Sequence, residues 1–62
     1  MIEETDKTIL IMLSNGYTYT DISNCIGLAN RTIEQRIMFV KEIFDATTLF
    51  ELAYKACKQG II

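Results

Sequence analysis

Residues 18–37, Thr18-Tyr19-Thr20-Asp21-Ile22-Ser23-Asn24-Cys25-Ile26-Gly27-Leu28-Ala29-Asn30-Arg31-Thr32-Ile33-Glu34-Gln35-Arg36-Ile37, decide how this chain folds. Thr18 and Asp21 have the spacing of a capping box, in which the Thr18 hydroxyl accepts from the Asp21 amide and the Asp21 carboxylate accepts from the Thr18 amide. A short helix over 19–26 is therefore predicted, burying Ile22 and Ile26 at i, i+4 spacing. Gly27-Leu28-Ala29 then makes a tight turn. Asn30, a favoured N-cap residue, opens a longer helix over about 30–44, whose apolar positions Ile33, Ile37, Val40 and Phe44 recur at i, i+4, i+7 and i+11.

Upstream, Glu3, Glu4 and Asp6 precede Ile9-Leu10-Ile11-Met12-Leu13 and then Ser14-Asn15-Gly16. Acids suit the positive end of a helix dipole and glycine suits the left-handed residue that closes a helix, so a helix over about 3–15 is expected. Downstream, Asp45-Ala46-Thr47 is a connector. Thr48 and Glu51 repeat the capping-box spacing and begin a helix over about 48–58 with Leu49, Leu52, Ala53 and Ala56 on one face. Lys55 and Lys58 lie near its negative end, and Gly60 stops it. The chain reads as a single all-α, four-helix domain over 1–62.

Composition agrees with a small helical domain. Of the 62 residues, 50% are apolar and 23% charged, with no proline or tryptophan; this is too hydrophobic for disorder and too poor in proline for a loop-rich fold. No apolar run approaches the ~20 residues of a membrane span and no basic segment precedes an apolar one as in a signal peptide, so the expected location is the cytoplasm. Cys25 and Cys57 are too few and too far apart for a disulfide framework or a zinc cluster, and are expected as reduced, buried thiols. The absence of histidine removes the commonest metal ligand and leaves no nucleophile–base pair to assemble, and no glycine-rich phosphate loop is present. The sequence therefore predicts neither an enzyme nor a cofactor.

A short helix, a three-residue turn containing glycine and a longer amphipathic helix form the helix-turn-helix pattern, in which the second helix lies in a DNA major groove. With Ile33, Ile37, Val40 and Phe44 turned inward, the opposite face presents Arg31, Thr32, Glu34, Gln35, Met38, Lys41 and Glu42. Gln35 suits adenine, Arg31 or Arg36 guanine or phosphate, Thr32 phosphate, and Glu34 only cytosine. The net charge of −2 gives no general pull toward polyanions, but residues 1–25 carry −3 and residues 26–62 carry +1. Tyr17 and Tyr19 either pack on the core edge or donate to a phosphate; Met38 and Phe39 are either a contact surface or a helix edge under the fourth helix.

Ile9-Leu10-Ile11-Met12-Leu13-Ser14-Asn15-Gly16-Tyr17-Thr18, Asp21-Ile22-Ser23, Ile26-Gly27-Leu28, Arg31-Thr32-Ile33, Val40, Glu51-Leu52, Ala56 and Gly60-Ile61-Ile62 together resemble the LuxR/GerE-type DNA-binding domain of bacterial transcription regulators, without a gap from about residue 2 to 62. A second resemblance, to the C-terminal domain of sigma factors, rests on Gly16-Tyr17-Thr18-Tyr19 and Asp21-Ile22 and lacks the chain's ending. The first resemblance implies duplex DNA as a weakly held partner, with Thr18 near a phosphate and Arg31, Thr32, Glu34, Gln35, Arg36, Met38 and Lys41 forming the DNA face. The chain departs from the family where charge counts. Glu34 stands for a usual lysine, Arg36 for a frequent histidine, Ile43 for a common lysine, Ala29 for the Ser or Thr that caps the recognition helix, and Glu3 for the Thr that opens the first helix.

The last helix also has a second apolar stripe, Phe50, Tyr54, Cys57 and Ile61, and a helix apolar on two faces needs two partners. The resemblance implies a twin subunit there, giving a homodimer. A different class of function follows if DNA affinity has been lost: a protein-interaction module of the same fold, pairing through helix 48–58 with a regulator or RNA polymerase.

Overall fold

A computed structural model describes residues 2–62. It contains α1 (Glu4–Ser14), α2 (Tyr19–Ile26), α3 (Asn30–Phe44) and α4 (Leu49–Lys58), with no strand among the described residues. Local chemistry sets each boundary. At α1 the Glu3 N–H donates to Asp6 Oδ2 at 3.0 Å. At α2 the expected capping box closes, with Thr18 N–H to Asp21 Oδ2 at 3.0 Å and Asp21 N–H to Thr18 Oγ1 at 3.1 Å. Gly27 then takes φ 78°, a left-handed conformation with little steric penalty for glycine, and the Ser23 hydroxyl donates to the Leu28 carbonyl across the turn.

Two expected caps differ. Asn30 is not the N-cap of α3: Ala29 occupies that position with extended φ −66°, ψ 150° and no side-chain cap, while the Asn30 amide donates to Thr20 Oγ1 at 3.2 Å. Three residues suffice for the turn, so the chain is already helical at Asn30, and its side chain ties α3 to α2 instead. At α4, Thr48 Oγ1 accepts from Glu51 N–H at 3.0 Å as expected, but the Glu51 carboxylate accepts from the Thr47 N–H at 2.9 Å and its hydroxyl at 3.0 Å rather than from Thr48 N–H. Those Thr47 bonds, followed by Lys55 at 3.3 Å, hold the Glu51 carboxyl below its ordinary pKa.

Lys55 also joins two helices. Asp45 closes α3 at φ 55°, unusual for a residue with a Cβ, and Lys55 Nζ donates to the Phe44 and Asp45 carbonyls at 3.2 and 2.9 Å. Its cation thus meets the negative end of α3, beyond the contribution expected at the end of its own helix.

The buried core takes Ile9 and Leu10 from α1, Ile22 from α2, Ile33, Ile37 and Val40 from α3, and Leu52 and Ala56 from α4. Fully burying a side chain of this size stabilises by about 1.5–3 kcal/mol, so the i, i+4, i+7 pattern of α3 is the main lever on this fold. Phe44, Ile26, Leu49 and Tyr19 are half-buried against that core. Because α3 packs on each of the other three helices, and α2 does not reach α4, the orientation of α3 organises the molecule. The two thiols depart from expectation: Cys25 and Cys57 are both free and exposed.

Candidate functional site

The three buried positions of α3 leave its opposite side open. Arg31, Glu34, Gln35 and Met38 are exposed there, and Thr32 and Lys41 are half-buried on its flanks. The structure thus brings together on one helix face the residues that periodicity placed there. Thr18 is exposed at the start of α2, its oxygen occupied by the Asp21 amide but its hydroxyl proton free to be donated. Tyr17 is half-exposed beside it, whereas Tyr19 packs on the core.

Arg36 differs from its expected placement as a free cation on this face. Its Nη1 donates to Asp6 Oδ1 at 3.1 Å and lies 3.5 Å from Glu3 Oε1. Asp6 is only 3% exposed, the one charged residue buried among the described residues, and its two carboxylate oxygens are shared between Arg36 and the Glu3 amide. The hydrogen bond that Arg36 donates to Asp6 pushes the Arg36 pKa up, opposed in part by desolvation and aided by the charges of Asp6 and Glu3. Arg36 therefore anchors α3 to the start of α1. Sequence reading missed this partner because Asp6 lies 30 residues earlier; an acid at the third helical position suffices as a capping signal without it.

The exposed face is consequently poor in net positive charge. Among the described residues Arg31 and Lys41 form no ion pair, and Glu34 and Glu42 stand on the same helix. Between α1 and α3 lies an open groove of about 260 Å³ lined by Glu3, Asp6, Thr32, Gln35, Arg36 and Phe39.

On α4, Phe50 is 89% and Tyr54 63% exposed, and Lys58 Nζ sits 5.7 Å from the Tyr54 ring centroid. Phe50 and Tyr54, with Ser14, Ala53, Cys57 and Ile62, line a shallow, almost wholly apolar groove of about 390 Å³. Ile61, placed in this stripe by spacing, packs instead on the core, and Ile62 lines the groove. Past the helix the Ile61 N–H bonds back to the Ala56 carbonyl at 2.9 Å, so helical spacing no longer applies.

Among the described residues no group of acids and cysteines is placed to hold a metal ion, and no helix is long and apolar enough to cross a membrane. What the fold and this face define is a four-helix, all-α domain with one solvent-facing helix held from behind by the other three. No family model, curated protein or solved structure matches the chain.

Proposed function

We propose that the chain is a small DNA-binding transcription regulator of the LuxR/GerE type, or the DNA-binding part of one, acting in the bacterial cytoplasm with α3 in the major groove. The observation that carries this reading is the exposed first half of α3, presenting Arg31 and Gln35 next to the pinned turn from α2. Gln35 suits a bidentate pair with adenine and Arg31 one with guanine. The Thr18 and Thr32 hydroxyls and Lys41 suit phosphates, and Met38 suits apolar contact with a thymine methyl.

Few free cations make the binding weak. With Arg36 matched by acids, about two phosphates are neutralised, which corresponds to a log–log salt slope of roughly −2 for duplex DNA. Glu34→Lys replaces an anion by a cation where phosphates or base edges would lie. It is expected to raise affinity for random duplex DNA and steepen that slope by about one unit. Fluorescence anisotropy across a salt series tests this. A wild-type slope of zero, or no effect of Glu34→Lys at any salt concentration, would mean that α3 does not face DNA.

The exposed α4 groove favours a second reading, a protein-interaction module that pairs through α4 with a regulator or polymerase. The same groove is the proposed homodimer contact, through Phe50, Tyr54 and Cys57.

A further inference from the structure

Most carboxylates of this chain are engaged within the fold. Glu3 and Asp6 hold Arg36, Glu4 pairs with Lys7, Asp21 caps α2, and Glu51 is held by Thr47 and Lys55. Glu34 is not. It is exposed and forms no ion pair among the described residues, although Arg31 stands one turn before it, at the same i, i+3 spacing that joins Glu4 to Lys7. An unpaired cation and an unpaired anion are therefore neighbours on the exposed first half of α3.

In a major groove an anion is unfavourable wherever it meets a phosphate or a base acceptor. Guanine presents acceptors only, adenine an acceptor beside its amine, and thymine an acceptor and a methyl group, whereas cytosine presents the N4 amine alone. A carboxylate taken out of water is satisfied on the cytosine edge and left unpaired on the others. Its effect is a difference between bases more than a gain in affinity. The guanine paired with that cytosine presents O6 and N7, the acceptors that suit Arg31. Opposite charges one turn apart on α3 thus match the donor and acceptor edges that G·C pairs present together.

We infer that Glu34 is a specificity-determining residue, which accepts from the N4 amine of cytosine at the position it faces and disfavours the other bases there. The inference rests on α3 lying in the major groove as proposed above, and adds the base that such a duplex must carry. On random DNA most sites lack that cytosine, so Glu34 is a net loss, in keeping with the gain expected of Glu34→Lys. On the matching duplex the same carboxylate gives selectivity.

The test is selection by the full chain, at low salt, from a duplex pool randomised over one helical turn. Anisotropy titrations then compare the selected duplex with one in which that G·C pair is replaced by A·T. The wild type is expected to enrich cytosine at one fixed position and to bind the A·T duplex about tenfold more weakly, within the range for one wrong base pair. Glu34→Ala, at an exposed position outside the core, is expected to bind the pool at least as well and to reduce that ratio by about fivefold, any remaining preference being that of Arg31. Circular dichroism checks that the variant is folded. Salt-dependent binding without base preference, an unchanged ratio in Glu34→Ala, or enrichment of a base other than cytosine would overturn the inference and leave DNA binding by α3 standing. A salt slope of zero on the pool would remove DNA binding and this inference together.

Discussion

Arg36 shows how a single side chain changes meaning between sequence and fold. On helix 30–44 a guanidinium reads as a DNA contact, yet its nearest partner is a carboxylate that burial has removed from water. An ionised carboxylate at 3% exposure is tolerable only if its oxygens are satisfied, and here the Glu3 amide and Arg36 do so. Asp6→Asn keeps the shape and removes the charge, leaving one charge-assisted bond weakened and an amide donor facing a guanidinium. Because Arg36 is partly in solvent, the loss falls below that for a fully buried pair, and about 2 kcal/mol is expected by urea denaturation. A change under about 0.5 kcal/mol, the range of an ordinary surface substitution, would show that the pair is incidental to the fold.

At the scale of the elements, the least well-finished helix end is the start of α3, where Ala29 offers no oxygen to the first amides. Ala29→Ser leaves the backbone unchanged and supplies that acceptor, so it is expected to raise stability by about 1 kcal/mol, read as a higher urea midpoint at constant slope. Asn30→Ala, by contrast, removes only an exposed link to Thr20, which is why the two residues exchange importance relative to the sequence reading. The four helices and their inward faces were legible because apolar spacing and capping pairs are local: α2 begins and ends where its capping box and glycine place it, and α3 spans the expected 30–44 although Ala29 rather than Asn30 is its N-cap. The exposed part of the site was legible for the same reason: Arg31, Glu34, Gln35 and Met38 follow from the phase set by Ile33 and Ile37. What was not legible depends on distance or on phase overriding residue type. Arg36 needs Asp6 from another helix, Glu51 has a better donor one residue upstream, and Cys57 follows buried Ala56 by about 100° of helical turn, which puts a typically buried residue in water.

For the whole molecule the consequence is that one small core has to serve four helices, and α4 receives cover on one side only. Its Leu52 and Ala56 face α1 and α3, and α2 lies out of reach, so Phe50, Tyr54 and Cys57 are left around an apolar groove open to water. A two-fold pairing of α4 with its twin covers both grooves with the same residues, and isologous contacts of this kind are the commonest among soluble oligomers. It would also suit the weak charge of α3, because two DNA faces set about 34 Å apart on one side of a dimer engage two half-sites together. Tyr54→Glu places a carboxylate in the middle of that contact, where leaving water is most unfavourable, while the position is 63% exposed within the subunit. Sedimentation equilibrium is expected to show a dimer for the wild type and a monomer for Tyr54→Glu, with helical circular dichroism unchanged in both. A wild type that remains monomeric at millimolar concentration would exclude the twin and leave the groove to another partner, whereas loss of helicity in the variant would mean that Tyr54 supports the subunit's own core.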